Sequence, residues 1–316
     1  MERFKVSLKK MMEIKRLELA LLTKDEIMLY ETLTTDENYC YLHSKNPYQI
    51  RNLNYIALSA FFNDKPVGLA LATEISSLAS LKSLYVDEKY RQMGIGTELM
   101  MALEKEFRLK GCIVISMTYE SNIKHFKEFE KILQGCNWKT PIPFMNRYFY
   151  KGADFNPPWI TKDYNFPKEL IVFPWSQLTP PGRKELLRRE EQWNFPAVIS
   201  PFLDEEHLEY SNSFGIKKED EIIGWVITHR LNKSTIRYSS LYIQPEYQFQ
   251  GISIFLLIKA MKTQKELINE GHEATWALFD INLDQTEPIW QQFIKRRLAP
   301  YADKTILINR TYKVLN

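Results

Sequence analysis

The chain has 316 residues, 45% of them hydrophobic and 26% charged, which is typical of a folded protein long enough for two domains. Its 42 basic and 39 acidic residues nearly balance, so a formal net charge of +3 gives no reason to expect a nucleic-acid partner. No apolar run is long enough to span a membrane, and no apolar signal-peptide segment follows the basic N-terminal residues. We therefore expect a cytoplasmic protein without a membrane partner.

The three cysteines, Cys40, Cys112 and Cys136, are far apart and lack the C-x-x-C spacing of a zinc site. Three widely spaced thiols also do not make a disulfide framework. We expect reduced cysteines and no metal.

The first predicted elements are a strand at 14–22 and a helix that begins at Thr23. Thr23 and Glu26 form an S/T-x-x-E capping box, and the helix is predicted to run to about residue 33. Residues 36–54 are polar and aromatic without a clean period, which indicates helix fragments and loops. A β-hairpin follows, since Asn-Asp-Lys-Pro is a turn sequence between two apolar runs. The runs are 55–62 and 67–75.

A short apolar strand, 81–86, leads into a turn with two glycines and then into a helix. Apolar residues recur at helical spacing over 97–109, and Gly111 stands where a helix C-cap favours a residue tolerant of positive φ. The glycine turn at 91–96 therefore joins a strand to the start of a helix.

This placement predicts an anion site, because the first amides of a helix are unpaired and carry partial positive charge. Gly94 and Gly96 have no Cβ to hold a pyrophosphate away, and Arg91 adds a full charge at the rim. A dinucleotide-binding turn is the alternative, but its third glycine is absent, since position 99 is leucine.

The whole stretch 84–97 resembles the acyl-CoA signature of the GNAT family of N-acetyltransferases, Q/R-x-x-G-x-G/A after an L-x-V strand. Arg91, Gly94 and Gly96 occupy its three defining positions. The resemblance implies an α/β fold with a mixed, mostly antiparallel central sheet flanked by helices. It also implies acetyl-CoA as co-substrate and an amine acceptor, either a small molecule or a peptide, in a monomer or homodimer.

The resemblance further implies that the pantetheine arm pairs with the strand backbone and that the pyrophosphate binds the turn. The strand would accept the arm as it accepts another strand, which satisfies amides that are otherwise unpaired. For Gln92, Met93 and Ile95, an ordinary turn or packing role is the alternative. The implied cofactor-binding residues are Leu84, Tyr85, Val86, Arg91, Gln92, Met93, Gly94, Ile95, Gly96, Thr97 and Asn122.

The catalytic residues are less evident. In much of the family a tyrosine seven positions after a helix-opening asparagine protonates the departing thiolate. Counted from Asn122, which begins a predicted helix at 122–133, this position is Phe129. Tyr119 is the candidate acid in its place, with core packing as the alternative. Glu74 is the candidate base acting through water, with an ordinary surface carboxylate as the alternative.

The second half of the chain repeats the first. Residues 241–253 form a second strand and turn in which Gln248 lies 157 residues after Arg91, and a helix at 255–270 again precedes a glycine. We expect a GNAT-like domain at 1–154, a proline-rich linker at 155–168 and a second GNAT-like domain at 169–316. The remaining predicted elements are strands 112–119, 145–151, 274–281 and 305–314 and helix 288–297.

The second copy is degenerate, since Ser253 replaces the second glycine and Ile254 stands where Thr97 stands. Its acidic run at 204–206, with Glu209, would attract a cationic amine or is a solvated helix start. We expect an acyl-CoA-dependent N-acetyltransferase in which an amine attacks the thioester directly, in the first domain. The alternative is a non-catalytic acyl-CoA-binding or interaction protein, which the missing tyrosine favours.

Overall fold

The computed structural model of the protein describes residues 12–35, 42, 54–162, 166–192, 194–195, 197–284 and 288–315. The chain divides into two compact units. Unit 1 comprises Met1–Phe144 and Leu307–Asn316, and unit 2 comprises Met145–Ile306. Most of the region predicted as helix fragments and loops, 36–54, lies outside the described residues.

The described residues form strands and helices that we number in chain order. The strands are β1 Met12–Arg16, β2 Asn54–Phe62, β3 Lys65–Ile75, β4 Leu78–Val86, β5 Val114–Glu120, β6 Ile142–Lys151, β7 Leu170–Pro174, β8 Phe214–Lys218, β9 Glu221–Asn232, β10 Thr235–Ile243, β11 Trp276–Asn282 and β12 Lys304–Val314. The α-helices are α1 Lys24–Met28, α2 Ile95–Leu109, α3 Phe126–Gly135, α4 Pro180–Glu191, α5 Ile252–Asn269 and α6 Pro288–Phe293.

Short 3-10 helices connect these elements. They span Leu19–Leu21, Glu31–Leu33, Glu88–Tyr90, Trp175–Gln177, Ala197–Ile199, Glu205–His207, Tyr210–Asn212, Pro245–Tyr247 and Ala299–Tyr301, and Ile294–Leu298 is a π-helical turn. No helix in the described ranges is long and apolar enough to cross a membrane.

The sheet of unit 1 has the order β1-β2-β3-β4-β5-β12. Its strands pair antiparallel except for β4 and β5, which pair parallel. Helix α2 covers one face, where its apolar stripe lies in a core with β2–β5. The buried residues of this stripe are Leu99, Met100, Leu103 and Phe107. The other face packs against the segment that contains α1.

The sheet of unit 2 has the matching order β7-β8-β9-β10-β11-β6, with β10 and β11 as its parallel pair. Helix α5 covers one face through Leu256, Leu257 and Met261. Each unit is thus a mixed, mostly antiparallel sheet flanked by helices, as the sequence predicts.

The strand that completes each sheet comes from the other half of the sequence. Strand β6 pairs with β11 from Met145↔Asn282 to Lys151↔Trp276, and β12 pairs with β5 from Val314↔Val114 to Ile308↔Glu120. The units therefore do not follow the expected boundaries at residues 154 and 169. Each unit closes with a strand predicted for the opposite domain.

Several predicted elements have different bounds. The strand expected at 14–22 is β1, which ends at Arg16, and the capping box at Thr23 is confirmed but opens a helix of five residues only. The helix expected to begin at Asn122 begins at Phe126. The helix expected at 97–109 begins two residues earlier, and Gly111 has the expected positive φ of 77°.

The proline-rich segment 155–168 packs against unit 2. Trp159 and Ile160 are buried in its core, and the Phe166 ring stacks on Phe255 with centroids 4.0 Å apart. The described part of this segment therefore contributes to a core instead of forming a free spacer, because its aromatic side chains gain more by burial than its extended backbone loses.

Candidate functional site

Strands β4 and β5 are paired only at their beginnings. Their parallel ladder covers Leu78↔Val114, Ala79↔Ile115 and Ser80↔Ser116. Strand β4 continues to Val86 and β5 continues to Glu120, still paired with β12. Within the described residues the edge of β4 that follows Ser80 therefore has no strand partner, and its backbone groups are open for pairing with a ligand.

A β-bulge interrupts β4 where this open edge begins. Leu71 pairs with Ser83 while Ala72 pairs with Leu81, so Lys82 is the extra residue. Much of Lys82 is exposed, yet the surrounding protein desolvates its ammonium group and lowers its pKa below the usual 10.5. Sequence reasoning missed Lys82, because a bulge leaves no pattern in a six-residue strand.

The glycine turn follows the open edge and ends at the N-terminus of α2. Gln92 and Gly94 have positive φ angles of 62° and 86°, and Gly94 is the N-cap of the helix. No side chain caps this end, so the first amides of α2 are free to donate to an anion. Gly94 is exposed, and a side chain there would meet no atom within 4 Å.

Arg91 holds this turn to the end of β4. Its Nε donates to the carbonyl oxygen of Val86 at 2.9 Å, Nη1 lies 3.4 Å from Glu88, and the guanidinium lies over the ring of Tyr85. The sequence suggested a charge at the rim of an anion site. The structure shows that Arg91 also has a structural role, because it satisfies a carbonyl where the strand ends.

Gly96, whose part in the anion site stays a prediction, also has a packing role. It is buried, and a Cβ built on it would lie 2.9 Å from Cδ1 of Ile132 in α3. Its missing side chain therefore allows α3 to pack against α2. Ile95 is buried and Met93 packs against the same core, as their alternative packing roles predict. Asn122 is exposed in a turn before α3, and Thr97 is half-buried in the first turn of α2.

Tyr119 lies on β5 beside Phe129, with ring centroids 5.1 Å apart, so it occupies the neighbourhood of the missing tyrosine. It is 7% exposed, and its hydroxyl donates to Glu130 at 3.2 Å. Burial raises its pKa above the usual 10, the Glu130 carboxylate adds to this shift, and the Asn309 side chain opposes it. Neither Glu130 nor Asn309 could be linked to Tyr119 from the sequence.

Glu74 lies away from the open edge. It pairs with Ala79 near the start of β4, accepts a hydrogen bond from Asn54 at 3.1 Å, and lies 3.6 Å from the ammonium of Lys110 at the end of α2. It is 8% exposed and so is not the surface carboxylate of the alternative interpretation. Its role as base stays a prediction that these contacts do not favour.

Unit 2 repeats the backbone of this site. The β10–β11 ladder ends at Arg237↔Leu278, although both strands continue. Gln248 donates to the carbonyl oxygen of Ile243 at 3.0 Å, as Arg91 does to Val86. Gly251 has a φ of 80° and begins α5 without a side-chain cap. The turn and the open edge are thus present twice.

The two units differ on the sheet face opposite α2 and α5. In unit 2 this face is filled by Trp225, which is fully buried, together with Trp175, Phe195 and Tyr242. The indole of Trp225 donates to the carbonyl oxygen of Ile199 and to Ser240. The centre of this face is thus an aromatic core, and a cavity of about 470 Å³ lies at its edge, lined by Phe173, Leu186 and Ile222 among others.

Three of the four acidic residues at 204–206 and 209 pair with an arginine. Asp204 accepts from Arg237 at 3.0 Å, Glu209 accepts from Arg230 at 2.7 Å, and Glu205 pairs with Arg183. The charges of these three carboxylates are therefore compensated within the protein, whereas Glu206 is exposed.

His229 is a buried residue of β9 that the sequence analysis did not single out. It is 2% exposed, and its Nδ1 is 2.7 Å from the hydroxyl of Ser239, the bulge residue of β10. Burial lowers the pKa of His229 to about 4, and the nearby Arg237 adds to this shift. The imidazole is therefore neutral at physiological pH.

Comparison with known proteins agrees with this architecture. The model of the acetyltransferase (GNAT) family matches residues 26–132 and 173–286, together more than half of the chain. No curated protein sequence matches the chain significantly.

Among solved structures, a tandem GNAT protein from the clavulanic acid biosynthesis pathway aligns with a TM-score of 0.66 at 12% identity, covering 96% of this chain and 99% of that one. A glucosamine N-acetyltransferase region of a fungal multi-domain β-N-acetylglucosaminidase gives 0.66 at 15% identity, covering 96% and 38%. A GCN5-related N-acetyltransferase from Sphaerobacter thermophilus gives 0.59 at 12%, covering 96% of both chains. At these identities the likeness concerns the fold, and the two family matches decide the assignment: the chain belongs to the GNAT acetyltransferase family and carries two GNAT units in tandem.

Proposed function

We propose that the protein transfers an acetyl group from acetyl-CoA to a primary amine and that unit 1 is the catalytic unit. The observation that carries this proposal is the open edge of β4, which leads directly to the uncapped N-terminus of α2. An extended amide-containing arm followed by a pyrophosphate matches these two features in the same order.

The binding roles follow from the groups present. The pantetheine amides would pair with the backbone of Leu84, Tyr85 and Val86, and the pyrophosphate would accept from the amides that follow Gly94. Gln92 and Thr97 flank this position and would add side-chain donors. Unit 2 has the same backbone but Ile254 in place of Thr97, so we expect one tight CoA site in the chain.

In the reaction the unprotonated amine nitrogen attacks the thioester carbonyl carbon, the carbon–sulfur bond breaks, and the sulfur leaves with the electron pair. We assign the proton that the thiolate gains to the hydroxyl of Tyr119. Burial keeps this phenol protonated at neutral pH, and Glu130 orients it. The amine must lose a proton, and Glu74 remains the predicted base through water.

The test is a thiol-release assay with purified protein, acetyl-CoA and a panel of primary amines, with the acylated product identified by mass spectrometry. We expect slow but measurable transfer and calorimetric binding of about one CoA per chain. Binding without transfer to any amine would instead support the non-catalytic acyl-CoA-binding alternative, which Phe129 favours. Two equal CoA sites would contradict the assignment to unit 1.

The dependence of the reaction rate on pH tests whether Glu74 is the base. If Glu74 acts as the base, Glu74→Gln should remove the acidic limb of the kcat/KM profile, since a neutral amide cannot accept the proton. If Glu74 only holds Asn54 and Lys110, the profile keeps its shape and only the free energy of unfolding falls. This second result would remove Glu74 from the mechanism.

A further inference from the structure

Unit 2 contains a cavity of about 160 Å³ that the acyl-transfer site does not use. It lies between the β10–β11 pair, β6 and the middle of α5, which is about 15 Å along the helix from Gly251. Its lining is mainly apolar and aromatic, and the residues that define it are Tyr150, Phe155, Ile160, Tyr238, Met261 and Phe279. Apolar cavities of about 150 Å³ can bind benzene, so this one has room for a single ring.

Among the buried polar side chains that the structure describes in the cavity lining, only that of Tyr150 has an atom without a hydrogen-bond partner. Tyr238 donates to Gln264 at 2.9 Å, and the Gln264 amide nitrogen donates to the carbonyl oxygens of Ala274 and Trp276. Tyr150 is 1% exposed, yet its hydroxyl has no hydrogen-bond partner. A buried hydroxyl without a partner costs free energy, which a ligand carrying an acceptor would recover.

Burial also raises the pKa of Tyr150, so its hydroxyl remains protonated and acts as a donor. The rings of Phe155 and Phe279 meet the Tyr150 ring edge to face, with centroids 5.0 and 5.6 Å away. These contacts fix the phenol ring, so the position of its hydroxyl is set before any ligand arrives.

Two lysines of α5 contribute to the rim of the same cavity. Lys262 and Lys265 lie three positions apart and so share one side of the helix. Among the described residues neither ammonium group pairs with a carboxylate. The rim is therefore positively charged and favours an anion over a neutral molecule.

We propose that this cavity binds a small aromatic carboxylate. The ring occupies the aromatic lining, the carboxylate accepts a hydrogen bond from Tyr150, and the two lysines compensate its charge. The cavity lies within unit 2, next to the point where the β10–β11 pair separates, since Tyr238 and Phe279 directly follow the last paired residues. Because acyl transfer is assigned to unit 1, the proposal does not depend on the catalytic assignment.

The probe is sodium benzoate, titrated calorimetrically into the full chain at constant ionic strength, with benzyl alcohol as a neutral analogue of similar size. We expect saturable binding of about one benzoate per chain and at least tenfold weaker binding of benzyl alcohol. Absence of saturable benzoate binding up to about 50 mM, roughly 50-fold above a weak dissociation constant of 1 mM, would overturn the proposal.

Three variants test the residues. Tyr150→Phe should weaken benzoate binding about tenfold while leaving the melting temperature of the free protein unchanged or higher, since it removes an unsatisfied hydroxyl. Tyr148→Phe is the matched control on the same strand, does not line the cavity, and should bind benzoate as the wild type does. The double variant Lys262→Gln with Lys265→Gln should bind benzoate about three- to fivefold more weakly.

Ala277 pairs with Tyr150 across the strands and lines the cavity, so Ala277→Leu should fill it and abolish binding. If this variant does not fold, Ala277→Val, which suits a strand, replaces it and should weaken binding at least fivefold. Benzoate binding that is unchanged in the folded filling variant, or equal in Tyr150→Phe and Tyr148→Phe, would overturn the proposal.

Discussion

The two units share the backbone of an acyl-CoA site but differ in what covers the opposite sheet face. Both have a parallel strand pair that separates after three residue pairs, and both have a turn that a side chain ties to the preceding strand. In unit 2, however, Trp225 and its aromatic neighbours fill the other face. Unit 1 has Leu69 and Leu71 in the corresponding core. Both faces are packed, but by different side chains, so a duplicated backbone does not imply a duplicated activity.

The largest effect that the comparison predicts is at Tyr119 in unit 1. Tyr119→Phe keeps the ring contact with Phe129 but removes the proton donor, so kcat should fall by about 10²-fold or more, within the range of general acid catalysis. Phe129→Tyr restores a hydroxyl nearby and should recover part of the rate in the double variant. Steady-state kinetics measures both, with Tyr312→Phe on the exposed part of β12 as control. Unchanged kcat in Tyr119→Phe would show that the thiolate departs unprotonated.

The next effect separates the two turns. Gly94→Asp places a carboxylate at the uncapped start of α2, where it repels a pyrophosphate, and should weaken CoA binding at least about 30-fold, or ~2 kcal/mol. Asp and Asn both tolerate positive φ, so Gly94→Asn is the neutral control for the backbone change. Gly251→Asp is the matched change in unit 2 and should have little effect on the tight site. If calorimetry shows that Gly251→Asp weakens CoA binding more than Gly94→Asp does, the tight CoA site lies in unit 2.

The free energy of unfolding should depend on pH through His229, which lies in unit 2. The unfolded chain protonates His229 near pH 6.5, whereas the folded chain does so near pH 4, so stability is present above pH 6.5 and is lost as the pH falls towards 4. Between pH 7.5 and 5 this loss is about 2 kcal/mol. Urea unfolding should show that His229→Gln, although less stable at pH 7.5, loses less stability over this interval than the wild type does. An identical pH dependence in the two proteins would contradict a buried neutral imidazole.

The smallest effect concerns the side chain that ties each turn to its strand. Arg91→Gln copies Gln248 and should keep the hydrogen bond to the strand carbonyl, so stability should change by less than about 0.5 kcal/mol. Arg91→Ala and Gln248→Ala leave that carbonyl without its partner and should each cost about 1 kcal/mol. Because Arg91→Gln keeps this hydrogen bond, any loss of CoA affinity in this variant measures the contribution of the Arg91 charge. Thermal unfolding in which Arg91→Gln and Arg91→Ala are equally destabilised would refute the shared role.

The glycine turns were predictable because their geometry is local. Gly94, Gly111 and Gly251 have positive φ angles, which glycine adopts without steric cost. The helical periodicity that follows each of the two turns identifies α2 and α5 from the sequence. The position of Asn122 was not predictable in the same way. His125, with positive φ, is the N-cap of α3, and no periodic pattern marks that conformation in advance.

The sequence by itself determined the family and both turns, because each depends on a short continuous stretch, and it determined the duplication because the same stretch recurs 157 residues later. Only the tertiary structure decided which strand closes each sheet, since Asp280 and Arg147, whose side chains meet at 2.8 Å on β11 and β6, are separated by 133 positions and no local signal selects such a partner. It also decided that Glu74 faces Lys110 and that Gly96 accommodates Ile132. The sequence gives the chemistry of each side chain, but the neighbours of that side chain are determined only when distant segments pack together.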